Sequence, residues 1–466
     1  MKSNKEKFDA IIVGSGIGGL VTASQLAAKG AKVLVLEKYI IPGGSGGSFK
    51  RNGYTFDVGA SMIFGFGEKG YTNLLTRALK DVNEKCETIP DPVQLEYHLP
   101  NNFIISVDKS YQKFISKLST RFPKEKEGIK KFYGTCEKVF NCLDSMPLLS
   151  IEDPSYLFKV FLKAPLSCLG LARWLPINAG DVARKFIKDP ELLRFIDIEC
   201  FCWSVMPALR TPMINAGMVF TDRHAGGINY PKGGVGKIAE KLVSGLERLG
   251  SKIRYRANVT EILLKDGKAV GVKLLNGEEI YSKIIVSNST RWNTFGLNNF
   301  KKGLIKSDQV PQSEHKWSKT YKPSPSFVSI HLGVKKDLIN KDFNCHHIIV
   351  ENWDELENEK GVIFISIPTL LDPSLAPEGK HIIHAFTPSS IEEWEDLSRE
   401  DYLKKKQVYY SLLIEKISKI IPNLDQNIDH QEIGTPRTHR KFLGRFEGSY
   451  GPIPNKKLLG LLPMPF

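Results

Sequence analysis

"FDAIIVGSGIGGLVTASQLAAKGAKVLVLE", Phe8–Glu37, decides the fold. Phe8–Val13 is a short apolar run rich in β-branched residues, the kind that makes a strand buried on both faces. It runs straight into Gly14-Ser15-Gly16-Ile17-Gly18-Gly19 and then into a helical pattern that closes at Gly30. Val33–Leu36 reads as a second buried strand and ends on Glu37. Together these parts form one βαβ unit. Gly14 permits the tight turn, Gly16 lets backbone approach a pyrophosphate, and Gly19 lets helix pack closely on strand. Glu37 stands where a carboxylate accepts hydrogen bonds from a ribose. A lone G-x-G-x-x-G is weak evidence, but between two strands with the acid in place it points to a dinucleotide site.

The residues that follow choose among dinucleotides. "KYIIPGGSGGSF" supplies Gly43, Gly44, Gly46 and Gly47, and "YTFDVGAS" brings a third close-approach loop at Gly59-Ala60-Ser61. Loops of this kind so near the ribose acid suit an extended FAD better than NAD. A second half of the nucleotide unit returns later. "GGINYPKGGVGKIAEKLVSGLERLG" gives a glycine loop and a helix over about 237–249, and Asp266-Gly267 and Asn276-Gly277 mark two hairpin turns. Strand Lys283–Ser287 returns to the core, with the chain near Val259 passing the adenine. The fold class is therefore α/β: a Rossmann-like FAD-binding domain (residues 1–99 and 226–324, with 431–466) interleaved with an α+β substrate domain (100–225 and 325–430). In the second domain, about 100–225 reads as mostly helical. Residues 325–430 carry three strand-like runs, "SFVSIHLGV", "GVIFISIPTLL" and "KHIIHAFTP", and a helix over about 401–420.

Composition bounds the remaining possibilities. The 466 residues predict two or three domains, and 41% apolar with 25% charged residues excludes disorder as the main state. A net charge of +14 suits an anionic membrane surface or plain solubility. No nucleic-acid motif accompanies it, so nucleic acid is not expected as a partner. The seven cysteines are scattered, with no C-x-x-C pair, which predicts reduced thiols and neither a disulfide frame nor a metal centre. His346 and His347 lack partners at ligand spacing, so no metal is expected there. The first residues, "MKSNKEKFDAIIVG", enter a strand at once, without a signal core or transit-peptide pattern, and no run of about 18 apolar residues exists. The expected place is the cytoplasmic side.

At this point the sequence resembles a known family. "VGSGIGGLVTASQLAAKGAKVLVLEK", "IPGGSGGSF", "GYTFDVGASMIFGF", "NAGMVFTDRHAGGINYPKGGVGKIA", "SLAPEGKHIIHAFTPSSIEEWE" and "EIGTPRTHRKFLGRFEGSYGPIP" look like the carotenoid cis–trans isomerases, or prolycopene isomerases. These belong to the flavoprotein family of the bacterial-type phytoene desaturases. The first motif is shared widely, whereas "DRHAGGINYP" and "GTPRTHRKFLGR" are particular to the isomerases. The resemblance implies FAD held by Gly14, Gly16, Gly19, Glu37, Gly43, Gly44 and the loop Gly59-Ala60-Ser61. It implies a linear C40 polyene substrate such as poly-cis lycopene. It also implies peripheral association with a carotenoid-making photosynthetic membrane. Turnover near 1 s⁻¹ needs a barrier of about 17 kcal/mol, and even a peptide bond resists rotation by about 18–20 kcal/mol. Rotation about a C=C bond therefore requires a transient loss of bond order, which reduced flavin can bring about with no net redox change. No side chain is singled out as acid or base. Asp222, Arg223 and His224 are open to two readings, a chemical role or a salt-bridged element end.

Two further segments leave alternatives. "PSYLFKVFLKAPLSCLGLARWLP" is apolar, broken at Pro165, and carries Lys159, Lys163, Arg173 and Trp174. It suits either a pair of interfacial helices or a lid over a substrate tunnel. The family's C-terminal flavin segment, resembling G-L-Y-x-x-G-D with glycines and a helix, is not found before Phe466. "GLLPMPF" is read as a proline-rich turn leading back under the first unit, and FAD binding that is weak or absent is the corresponding expectation. Competing functions are a carotene desaturase, a retinol-saturase-like oxidoreductase, or an inactive or carotenoid-binding remnant. The oligomeric state is left open.

Overall fold

The structure, a computed structural model, describes residues 7–68, 70–147, 153–298 and 302–454. The reading of 460–466 as a returning turn lies outside the described residues.

Strand Ala10–Val13 lies in a four-stranded parallel sheet, between Ile284–Ser287 on one side and Val33–Leu36 on the other, with Lys252–Arg254 beyond. The two central strands are buried throughout, as their unbroken apolar runs require. Helix Ile17–Ala28 lays Leu20, Ala23 and Ala27 into the core, and helix Gly236–Arg248 packs beside it with Ala239, Leu242 and Leu246. A Cβ on Gly19 would overlap the carbonyl oxygen of Gly14, so the close helix–strand approach needs glycine there. Both hairpin turns form where read. Val259–Lys265, Lys268–Leu274 and Glu279–Tyr281 make a three-stranded antiparallel sheet, with Asp266, Gly267 and Gly277 all at positive φ.

The second sheet has seven strands in the order Ile428–Gly434, Ser326–Lys335, Lys380–Ser389, Ile363–Ser366, His346–Ile349, Val93–Leu99 and Phe103–Asp108. Its long strand Ser326–Lys335 is buried at every residue but Lys335 and pairs with Lys380–Ser389 over ten positions. Two expectations change here. The boundary drawn at 99/100 cuts a hairpin: Val93–Leu99 and Phe103–Asp108 pair antiparallel, and the first also runs parallel to His346–Ile349. The turn uses Asn101 and Asn102, both at positive φ, a conformation that asparagine tolerates. Ile428–Gly434, placed partly in the nucleotide unit, is likewise an edge strand of the seven-stranded sheet.

The described residues of 111–225 are mostly helical, as their spacing predicts. Helices Tyr111–Arg121, Lys126–Asp144, Pro190–Ser204 and Met213–Ala225 enclose Phe114, Phe132, Tyr133, Val139, Phe195 and Phe220. Within this apolar bundle Arg223 Nη1 donates to Glu199 Oε1 at 2.6 Å, and Tyr133 also donates to Glu199. Both charges are essentially inaccessible to water, at 1% and 0% exposure. Leaving one of them unpaired costs far more than replacing both. Glu199→Ala should therefore lower the unfolding free energy by about 3–5 kcal/mol, with Glu199→Leu/Arg223→Met recovering most of it. Urea denaturation followed by circular dichroism measures both.

Candidate functional site

The first glycine loop opens on a cavity of about 980 Å³ between the parallel sheet and the seven-stranded sheet. That is at the upper end of the range of about 300–1,000 Å³ for small-molecule sites. One wall is nucleotide-unit backbone: Gly14, Gly16, Glu37, Gly44 and Val259. The opposite wall includes His331, Gly434, His439, Arg445 and Tyr450. Helix Ile17–Ala28 presents its N-terminus at Gly16 with no acidic residue in its first turn, a setting that favours an anion. A Cβ on Gly16 would lie 2.8 Å from Asn288 Nδ2, and one on Gly59 would lie 2.7 Å from Ser45 O. The cradle is open because these side chains are missing.

Glu37 is almost fully buried. Its Oε2 accepts from Ser15 N at 2.8 Å and Ser15 Oγ at 2.7 Å, and its Oε1 accepts from Tyr39 N at 2.8 Å. The carboxylate is thus fixed at the cavity edge before any ligand arrives. Gly59 and Ala60 line a second, apolar pocket of about 200 Å³ with Val58, Ile63, Phe327 and Leu443. Gly19, Gly43 and Ser61 support these walls from behind. Gly43 turns at φ +103°, and Ser61 Oγ donates to Asp57 Oδ2 at 2.9 Å.

Asp57 is the residue that sequence reading missed. Its Oδ1 accepts from Ser48 Oγ at 3.0 Å and Val235 N at 2.9 Å, and its Oδ2 accepts from Ser61 Oγ and from Tyr230 Oη at 2.8 Å. His331 Nε2 meets the Asp57 carbonyl oxygen at 2.9 Å. The side chain ties the second, third and later glycine loops together, and the backbone carbonyl of the same residue joins them to the seven-stranded sheet. Burial pushes its carboxyl above the usual range, and the four donors pull it back. No local signal marks it, because its partners come from four separate segments.

Arg445 lines both cavities and was quoted only as part of a motif. Its Nε donates to Ser449 O and its Nη1 to Ser45 Oγ at 3.4 Å. Among the described residues no carboxylate pairs with it. Burial accordingly lowers the pKa of its guanidinium. A partly buried cation beside the second glycine loop suits an anionic ligand.

Asp222, Arg223 and His224 do not reach the cavity. They end helix Met213–Ala225, with Arg223 in its buried ion pair and His224 Nδ1 3.1 Å from Lys109 O. Of the two readings of this motif, the salt-bridged helix end is the one that forms. His224 is held down to about 3, first by burial and then by the neighbouring Arg223 charge.

Three histidines are buried here: His331 and His439 in the cavity wall and His384 beside them. The rings of His331 and His384 stack at 4.2 Å. Burial holds His331 down to about 4 and His439 to about 3, and His384 well below its ordinary value. Each is neutral when folded and takes up a proton more readily when unfolded. Their contribution is complete above the unfolded value of about 6.5 and is lost as pH falls from there towards the folded values. The urea midpoint should therefore drop steeply between about pH 7 and about pH 5, with up to three extra protons bound on unfolding. A flat profile over that window would show that these rings are solvated.

Residues 17–411 match the family model described as flavin containing amine oxidoreductase. Prolycopene isomerase 1, chloroplastic, of an Oncidium hybrid cultivar is 57% identical over 463 residues, 99% of this chain and 78% of that protein. Prolycopene isomerase, chloroplastic, of Daucus carota is 56% identical over 462 residues, 99% of this chain and 74% of that protein. Among solved structures, an oxidoreductase from Methanosarcina mazei matches with a TM-score of 0.61 at 18% identity, over 91% of this chain and 87% of that one, which is a likeness of fold. A glycine cradle beside a fixed acid, set in a chain this similar over 99% of its length, leads to one conclusion: the protein belongs to the flavin-containing amine oxidoreductases and, within them, to the prolycopene isomerase family.

Proposed function

We propose that this chain holds FAD in the cavity between its two sheets and turns poly-cis lycopene towards the all-trans form, with no net redox change. The observation that carries the reading is identity of 57% over 99% of the chain to a named prolycopene isomerase, in a chain whose glycine loops and Glu37 line a cavity of about 980 Å³. The backbone of Gly14 and Gly16 and the adjoining helix N-terminus would take the pyrophosphate, with Gly19 keeping that helix close. Glu37 would take the ribose, and Val259 would border the adenine. Gly43, Gly44 and the loop Gly59-Ala60-Ser61 would pass along the ribityl side, and Arg445 would balance phosphate charge. Bound and reduced, FAD supplies the reversible electron or hydride donation that lowers C=C bond order.

The protein's part is alignment and exclusion of water. The apolar pocket of Val58, Ile63, Phe327 and Leu443 adjoins the third glycine loop and offers a polyene a dry surface. The buried histidines nearby are neutral, so no fixed charge on them opposes a hydrocarbon. A C40 carotene has no useful aqueous concentration, so it must be taken from lipid. Helices Pro154–Lys163 and Pro165–Ala172 meet at a bend of 115°, and no single described helix is long and apolar enough to cross a membrane. Leu166 is 83% exposed, Leu162 64%, Phe158 63% and Leu169 60%. Such exposure of large apolar side chains favours the interfacial reading of this segment over a tunnel lid. Lys159, Lys163 and Arg173 would sit among head groups. The setting is then the periphery of a carotenoid-synthesising membrane.

Two measurements test this reading. Poly-cis lycopene in liposomes, incubated anaerobically with protein and reduced FAD, should give a red-shifted product of unchanged mass. A change of two hydrogens would assign the chain to desaturation or reduction instead, and uptake of pigment without isomerisation would make it a binding protein. In flotation assays the wild type should rise with anionic liposomes, and Phe158→Glu/Leu166→Glu should remain in the bottom fraction with its fold intact. Equal flotation of both would remove the bent helix pair from the membrane.

A further inference from the structure

The stretch Cys345-His346-His347 shows no ligand spacing in sequence, yet the fold brings these residues into two sets. The first set, Glu96, His98 and His347, is closed on itself. His98 Nε2 and His347 Nδ1 are 3.0 Å apart, and His347 Nε2 is 2.8 Å from Asn344 O. Asn344 Nδ2 and Ser106 Oγ both donate to Glu96 Oε2. Both ring nitrogens of His347 are thereby used, so this set is a hydrogen-bond network.

The second set differs. Asp91, Cys345 and His346 bring a carboxylate oxygen, a sulfur and a ring nitrogen within 4.8 Å of one another. All three residues are nearly inaccessible, at 2%, 3% and 1% exposure. Asp91 Oδ2 and His346 Nε2 face each other at 3.7 Å, and neither makes a hydrogen bond. The remaining atoms of both side chains are anchored: Asp91 Oδ1 accepts from Val93 N at 3.1 Å, and His346 Nδ1 lies 2.9 Å from Ser366 Oγ. With Nδ1–H donating to that hydroxyl, the Nε2 lone pair is directed at Asp91, the arrangement second-shell partners give to metal-bound histidines. Two buried polar atoms left without hydrogen bonds, beside a buried thiol, are costly unless something between them is missing.

The geometry points to a structural zinc site formed by Asp91, Cys345 and His346. Oxygen, sulfur and nitrogen donors in one small buried set match the borderline-soft preference of Zn²⁺, and a water would complete four-coordination. Zinc would bind the carboxylate and thiolate with release of the thiol proton and of any carboxyl proton to solvent, and no electrons are transferred. Its placement gives it a task. Asp91 stands between strand Thr88–Pro90, which pairs with Asn229–Pro231 near the later glycine loop, and strand Val93–Leu99 of the seven-stranded sheet. Cys345 and His346 open the neighbouring strand His346–Ile349. The ion would staple the crossing from the nucleotide unit into the second sheet.

The test is metal content and cobalt spectroscopy on the full chain. Wild type passed through metal-free buffer should retain about one zinc per chain. Replacement by Co²⁺ should give a near-ultraviolet thiolate-to-cobalt charge-transfer band. Cys345→Ser and Asp91→Asn should lose the zinc, and His98→Gln, in the neighbouring network, should keep it. All seven cysteines are described, and among the described residues only Cys345 belongs to a ligand cluster, so the wild-type cobalt band is decisive even where a variant fails to fold. Wild type without stoichiometric zinc, a cobalt complex lacking the thiolate band, retention in Cys345→Ser, or loss in His98→Gln would each overturn the assignment.

Discussion

The buried carboxylate of Asp57 is the constraint on which the rest of the site depends. It accepts from Ser48, Ser61, Tyr230 and Val235, and its own carbonyl oxygen meets His331. The donors come from four stretches of chain, Tyr230 and Val235 sharing one, and each stretch carries part of a cavity wall. The glycine loops have little side chain with which to pack, so their positions must be imposed from behind. A charged acceptor in a water-free setting does this better than apolar contact, because hydrogen bonds to it are directional and strong. Glu37 repeats the device on a smaller scale, holding Ser15 and Tyr39 with one carboxylate.

The interleaving of the two sheets follows from the same arrangement. The chain leaves the parallel sheet, builds a hairpin into the seven-stranded sheet, returns through helix Gly236–Arg248, and leaves again. Neither sheet is completed by one continuous segment, so the cavity between them exists only when both are formed. Such a cavity can hold a cofactor against one wall and a hydrocarbon against the other, as carotene isomerisation on a flavin requires. The Asp91–Cys345–His346 cluster lies at one of these crossings, where a staple has most to join.

How much of this was legible depended on how local the cause was. The βαβ unit reads from Phe8–Glu37 because a turn, a helix and a buried strand each leave a mark on adjacent residues. Both antiparallel turns at Asp266-Gly267 and Asn276-Gly277 read for the same reason. The Asn101-Asn102 hairpin was passed over because asparagine pairs also occur in loops, and strand His346–Ile349 was hidden behind two polar residues that happen to be buried. Asp57 and Arg445 were visible as letters but not as functions, since their partners are brought in by tertiary structure. Pro154–Lys163 and Pro165–Ala172 read from sequence either as interfacial helices or as a lid, because tertiary packing decides which apolar side chains stay exposed.

The most direct measurement of the central claim, that glycine loops and second sheet form one flavin site held through Asp57, is hydrogen–deuterium exchange with and without FAD. The account predicts that FAD slows exchange together at Gly14–Glu37, at 43–61, and across the cavity at 329–331 and 434–451. Protection confined to the first βαβ unit, with no change in the second sheet, would contradict it.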